Sequence, residues 1–449
     1  MASQSPISSC DIATLPPPGT SAPSSFTFTT INGRACLLYL AVIPAQVCKN
    51  GVILPPNLTL LTLDLDTLTA SPTLPALPTP AILSLSQSLK LERLRVHAQG
   101  VTAYLPQPNS YIIILTGGAI YAIPPPDRAD STTLQPVYLP DDHAFALSGV
   151  TVGDSSAADV TCSWVDGKCW VFWSAYNQLF CTSLTFTASS MRVAPVIQLT
   201  SSAVATSTNG IPDFLASEEM DLHVGYWLSP AAAGTTHLTY LAVDNSPVPN
   251  FVINHDDLTT ETHHYPFAGK DNPTVTLRCM DLKSLYKKTP VGPTASKVFK
   301  PPPTTTASKS PLCYIARVTM LKQGVVVQWE ARDQRTVVVQ YVEYVDATGA
   351  AYRPSLPPNP GGTTVLRVVE SESYVNLHHM FRVLEPPPST GQTAHPIRFL
   401  YAGESSGFLH LWEYSGDGEL QVVRQVTGGS YVVDKIVAFD GGRVYFECR

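Results

Sequence analysis

The stretch WVDGKCWVFW, Trp164 to Trp173, places Asp166-Gly167 between two apolar runs, and the same arrangement returns along the chain. An Asp-Gly pair tolerates the positive φ angles of a tight primed turn, so the flanking runs are expected to be antiparallel strands. VAFDGGRVYFEC sets Asp440-Gly441 in a like position, and SYIIILTGGAIYAI, VVVQWEARDQRTVVVQYVEYV and FLYAGESSGFLHLWEYS read as further hairpins. Hairpins recurring every few dozen residues, with no helical periodicity beyond a couple of turns, predict an all-β chain. A β-propeller of four-stranded antiparallel blades fits that spacing, and a β-sandwich is the alternative that the pattern leaves open. The 40 prolines point the same way, because proline breaks long helices.

A chain of 449 residues can bury a large core, as one big all-β domain or as two to three ordinary ones. Residues 1–30, opening MASQSPISSCDIATLPPPGTSAPSS, carry neither the basic start nor the apolar centre of a secretory signal and are expected to form a disordered tail. Propeller sequence is expected over residues 31–286 and again over 312–449. Between them, at 287–311, KKTPVGPTASKVFKPPPTTTASK has five lysines and no acid, so a disordered insertion is expected there. TLTASPTLPALPTPAILSLS, residues 67–86, is equally rich in proline and threonine and reads as a second insertion.

Charge narrows the partners. A net charge of −7 offers no basic surface to neutralise a phosphate backbone, which excludes nucleic acid. ACLLYLAVIPAQVC, residues 35–48, is the most apolar early run, but Pro44 interrupts it and a bilayer takes about 20 apolar residues, so no membrane anchor is expected. Nine cysteines, an odd number without paired metal-ligand spacing, suit reduced thiols in a cytoplasmic protein. Cys162, Cys169 and Cys181 form the closest group and read as packed thiols rather than as a zinc site, and neither a metal nor a cofactor is expected.

The candidate binding residues lie in FLASEEMDLHVGYWLSP, Phe214 to Pro230. Neighbouring side chains on a strand point to opposite faces, so Glu218 and Glu219 can meet one ligand only where the backbone turns or is helical. Ser217 as an N-cap, followed by Glu218, Glu219 and Asp221 as first-turn acids, predicts a short helix that breaks the strand pattern. Two converging carboxylates could accept charge-assisted hydrogen bonds from a primary ammonium. The plainer alternative is that these acids decorate a helix start in water.

GESSG, Gly403 to Gly407, satisfies the letters of a nucleophile elbow around Ser405. That elbow requires a strand-to-helix turn followed by an acid and then a histidine, whereas both flanks here read as strands and only His410 follows, with no acid between. A hairpin turn is expected. The adjacent pairs His263-His264 and His378-His379 would direct their two rings apart on a strand, so neither is expected to hold a metal. Asp154-Ser155 has no histidine near it in sequence and reads as loop.

ASEEMDLHVGYWLSP resembles the dipeptidyl peptidase IV family, and within it the intracellular branch of dipeptidyl peptidases eight and nine. The resemblance continues in order through YPFAGKDNPTVTL, ARDQRTVVVQYV, YVNLHHMFRVL, FLYAGESSGFLHLWEYS and RVYFE, from about Tyr111 to the end of the chain. It implies an N-terminal propeller of up to eight blades, incomplete in this chain, with a helical insertion carrying a Glu-Glu pair. In that family the pair holds the free α-amine of a peptide, and a separate α/β-hydrolase domain removes N-terminal dipeptides. By position the amine-binding role falls to Glu218 and Glu219. The resemblance also implies that a chain ending at Arg449 lacks the catalytic Ser-Asp-His domain and has no catalytic residue of its own. Its partners would be peptide N-termini or a protein, with self-association through an open propeller edge. A non-catalytic propeller scaffold is the second reading. Two departures bear on it: no arginine lies between Arg128 and Arg192, where the family supplies one to a substrate carbonyl, and Leu409 stands where relatives carry a basic residue.

Overall fold

The computed structural model describes residues 24–43, 46–47, 53–54, 57–73, 85–93, 99–107, 110–125, 134–140, 154–187, 190–202, 204, 206–230, 236–256, 259–287, 296–302, 310–322, 324–344, 363–384, 397–416, 420–440 and 442–449. The chain forms two compact units, one comprising Met1–Ala205 with Pro290–Pro293, the other Thr206–Thr289 with Thr294–Arg449.

The first unit opens with β1 (Ser24–Ile31), β2 (Arg34–Ile43), β3 (Asn57–Asp64) and β4 (Thr69–Pro72), followed by α1 (Leu85–Arg93). Then come β5 (Gln99–Pro106), β6 (Ile112–Thr116), β7 (Ala119–Ile123) and β8 (Gln135–Tyr138). These strands make two antiparallel four-stranded meanders, fused by a parallel contact of Asn57 and Leu58 with Gln99 and Gly100. Gly100 sits at φ +133°, and an added Cβ would lie 2.1 Å from the Leu58 carbonyl oxygen, so this approach requires glycine. A further sheet runs β9 (Ala158–Val165), β10 (Lys168–Ala175), β11 (Gln178–Phe186), β12 (Met191–Val193), with β13 (Ile197–Gln198) also on β11. Its buried Val171, Trp173 and Phe180 pack with Ile113 and Ile120 of the neighbouring sheet.

The turn chemistry explains the meanders. Asp166 and Gly167 adopt φ +49° and +73°, as the Asp-Gly signal requires. Gly117 and Gly118 do the same at +54° and +75° between β6 and β7. Tyr176 and Asn177, at +49° and +58°, close the next hairpin without any glycine.

The second unit contains β14 (Ser207–Asn209), α2 (Phe214–Glu218), β15 (Tyr226–Leu228), β16 (His237–Asp244), β17 (Asn250–Asn254), β18 (Thr260–His264), β19 (Thr274–Asp281), α3 (Lys283–Lys287) and β20 (Lys297–Phe299). It continues with β21 (Leu312–Met320), β22 (Gly324–Ala331), β23 (Thr336–Glu343), β24 (Thr363–Glu370), β25 (Phe381–Leu384), β26 (Ile397–Gly403), β27 (His410–Gly416) and β28 (Leu420–Gln425). A last hairpin joins β29 (Val433–Asp440) to β30 (Arg443–Cys448). Three four-stranded sheets result: β21 to β24 in order, β25 to β28 in order, and a sheet of β16, β19 and β20 whose first strand is shared by β14 and β15. Strands built on runs of valine bury both faces here: every residue of β22 and β23 is buried. The fold is all-β and built of blade-type meanders, a β-propeller architecture.

Several boundaries differ from expectation. The expected tail reached residue 30, but Ser24–Ile31 is already a strand on β2, pairing Ile31 with Arg34 and Thr29 with Cys36. The expected insertion at 287–311 contains β20, which supplies the outer strand of its blade and buries Phe299 opposite Leu277. A three-residue strand of sequence KVF has too little pattern of its own to be read; the neighbouring strand imposes it. Within 67–86, Thr69–Pro72 pairs with β3, and residues 74–84 lie outside the described part. The turn expected at Asp440-Gly441 falls one residue later, since Asp440 pairs with Arg443 and Gly442 takes φ +79°. The apolar run at 35–48 is a blade strand through Ile43, buried from Cys36 to Ala41, with Leu38 and Tyr39 fully covered. No helix of the described residues is long and apolar enough to cross a membrane.

Candidate functional site

β14 and β15 are two pieces of one strand. Asn209 pairs with Ala242 and Tyr226 with Tyr240, so residues between them are extruded where the strand would otherwise have run on. Both feet of the extruded loop converge on Leu241: the Gly210 N–H donates to its carbonyl at 2.8 Å, and its N–H donates to the Gly225 carbonyl at 2.8 Å. A Cβ on Gly225 would stand 2.5 Å from the Gly210 carbonyl carbon, so the neck closes only because side chains are absent there.

The loop carries α2. Its N-cap is Asp213, whose carboxylate accepts from the Ala216 N–H at 3.2 Å, and Ser217 lies buried inside the helix. The expected cap at Ser217 is therefore corrected by four residues. Asp and Ser are comparable caps, and the choice falls to burial, because this register packs Ala216 and Leu222 into the core with Leu241 and Trp329. The consequence for the acids is large. Glu218 is the last helical residue and Glu219 the C-cap, both exposed, so the pair stands at the negative end of the helix instead of its positive one. Anions are disfavoured at that end by roughly 0.3–1 kcal/mol. Successive helical positions differ by about 100°, so the two side chains leave the helix end on different bearings.

Asp221, read from sequence as a first-turn acid, lies beyond the helix with φ +53°. Its Oδ1 is 2.8 Å from His223 Nε2 and its Oδ2 is 3.0 Å from His379 Nε2. Burial acts to raise the Asp221 carboxyl, but the hydrogen bonds from His379 and His223 outweigh it and leave the pKa below the usual carboxylate range. Met220 between the acids is buried, and its carbonyl accepts from Arg317 Nη1 on β21. His379 and Arg317 were not legible as parts of this site. His378 and His379 do diverge as expected, though from a loop: His378 meets the Tyr401 ring at 4.5 Å while His379 reaches Asp221. His263 pairs with Glu261, and His264 Nδ1 lies 3.2 Å from the Val248 carbonyl oxygen.

Ser405 lies in the turn between β26 and β27, a hairpin as expected. His410 is buried, with Nδ1 3.1 Å from Thr427 Oγ1 and Nε2 3.0 Å from the Gly429 carbonyl, so both ring nitrogens are engaged in the blade. Leu409 packs with Met380, Ala402 and Val433. The Asp154 carboxylate accepts from the Ser156 N–H at 2.9 Å in a turn of the first unit. Among the described residues seven cysteines are free thiols and no cluster of His, Cys, Asp or Glu could hold a metal ion; Cys10 and Cys48 lie outside them.

The extruded helix, the blade that carries it and the two blades after it all fall within a single family match. The family described as the dipeptidyl peptidase IV (DPP IV) N-terminal region matches residues 160–449, from within β9 to the last residue. That span is well over half of the chain, and the chain belongs to the dipeptidyl peptidase IV N-terminal region family.

Proposed function

We propose that this chain is the substrate-selecting propeller region of a dipeptidyl-peptidase-type protein of the intracellular kind, and that Glu218 and Glu219 bind the free α-amine of a peptide N-terminus. The observation that carries the reading is the placement of two exposed carboxylates at the C-terminal end of a helix extruded from a blade strand. An ammonium offers three N–H donors, and charge-assisted bonds to carboxylates are about twice as strong as neutral ones. The chain is inactive in hydrolysis by itself, because neither Ser405 nor His410 is placed for nucleophilic chemistry. A non-catalytic scaffold is the second reading, favoured by the lack of any arginine between Arg128 and Arg192.

NMR titration with Gly-Pro dipeptide separates the two. The amine reading expects binding that weakens about tenfold or more in Glu218→Gln or Glu219→Gln, since an amide keeps the shape and drops the charge. Equal binding by wild type and both variants would remove it.

A further inference from the structure

The amine-site helix sits on a loop with a narrow glycine neck, and such a loop could pivot unless something outside it holds its far side. Two residues outside the loop do so. The Arg317 guanidinium holds the Met220 carbonyl, and His379 holds the Asp221 carboxylate at 3.0 Å. These grips fall on the two residues that directly follow Glu219.

Arg317 is the more telling of the two. Along β21 and β22, Ile315 pairs with Trp329 and Arg317 with Gln328, so Ala316 is an extra residue, a β-bulge of the kind that redirects a side chain. Only 8% of Arg317 is exposed, and the same Nη1 that reaches Met220 also donates to the Ala316 carbonyl at 2.6 Å. One nitrogen thus links the loop backbone to the bulge backbone. A buried guanidinium is costly unless charges answer it, and Asp221 and Glu330 supply that field. The tie thus sets a buried cation beside Asp221, two residues beyond Glu219.

We propose that Arg317 is a positioning residue of the amine site, fixing the turn over Glu218 to Asp221 so that both glutamates present to one ligand; this rests on the amine reading above. It touches no substrate and acts through Met220.

The test compares wild type with Arg317→Met, which keeps length and apolar fill, and Arg317→Lys, which keeps charge and a donor. Two readouts are taken on the full chain: Gly-Pro affinity by NMR titration, and hydrogen exchange of the Leu222 amide, whose N–H donates to the Ala216 carbonyl at 2.9 Å and so reports closure of the turn. The proposal expects Arg317→Met to lose about tenfold in affinity, ~1.4 kcal/mol, with faster Leu222 exchange and unchanged exchange in β22 and β23; Lys restores part of both. Unchanged affinity and unchanged Leu222 exchange in Arg317→Met would overturn it with the amine site intact. Loss of protection in β22 and β23 together with Leu222, in both variants, would overturn it too, by making Arg317 a general stability residue. If wild type binds no dipeptide while Leu222 alone loosens in Arg317→Met, the amine reading fails and the positioning of the turn stands.

Discussion

Glu330 faces the same buried cation from β22. It is 2% exposed, its Oε2 makes no hydrogen bond, and burial pushes its carboxyl up to about 7 while Arg317 pulls the other way. The folded pKa therefore lies above that of the unfolded chain, near 4.3. Between those values the native state keeps a proton that the unfolded state releases, so this group's contribution to stability is full below about pH 4.3 and is lost as pH rises through 7. Glu330→Gln keeps the shape and removes the titration. Measured by urea unfolding across pH 4.5 to 8, the variant is expected to gain on wild type by as much as ~3 kcal/mol over that window and to level off above it. A wild-type-to-variant difference that stays constant with pH would count against the buried-acid account. Neither Glu330 nor Arg317 was foreseen as part of the site, although CYIARVTM and VVVQWEA each show one lone charge in an apolar strand. A lone charge shows that something must answer it, but the partner lies on another element and is set by packing.

At the scale of elements, the neck of the loop is the sharpest demand the site makes on sequence. Gly210 and Gly225 are far apart along the chain and meet only because both face Leu241. Gly225→Ala places a Cβ 2.6 Å from the Gly210 carbonyl oxygen and 2.7 Å from the Ile211 nitrogen, and overpacking of this kind costs roughly 1–3 kcal/mol. The expected result is a lower melting temperature together with weaker Gly-Pro binding, read by calorimetry and by the NMR titration. If both match wild type, the neck opens at little cost and the loop does not depend on it. Sequence reasoning expected a short helix breaking the strand pattern, but began it at Ser217, whereas the helix runs Phe214–Glu218 and the acids fall at its end. It found the hairpins at Gly117-Gly118 and Asp166-Gly167, where the turn residues declare a positive φ, and missed that at Tyr176-Asn177, where they do not. The pairing of β20 was hidden for a related reason: three residues flanked by prolines gain their strand from β19, not from themselves.

For the whole molecule, the repeated meander was readable because each blade spells its own turns, whereas the chemistry of the chain has to be judged from what its parts bring together. Peptide hydrolysis by a serine mechanism needs an exposed nucleophile, a base within reach to take its proton, a group to orient that base and donors for the oxyanion. Ser405 is exposed, but it lies in a hairpin turn between β26 and β27 rather than in a strand-to-helix elbow. The histidine that follows it in the chain, His410, is held on both ring nitrogens, and Thr427 Oγ1 beside its Nδ1 also accepts the Leu411 N–H at 2.9 Å. Freeing that ring to act as a base would break the join between β27 and the segment before β29. The 449-residue chain is therefore expected to release no chromophore from a Gly-Pro or Ala-Pro chromogenic amide and to take no label from a fluorophosphonate probe, with Ser405→Ala indistinguishable from wild type in both assays. Labelling that disappears in Ser405→Ala would overturn this and place a nucleophile in the blade; labelling that survives the substitution would place one elsewhere in the chain.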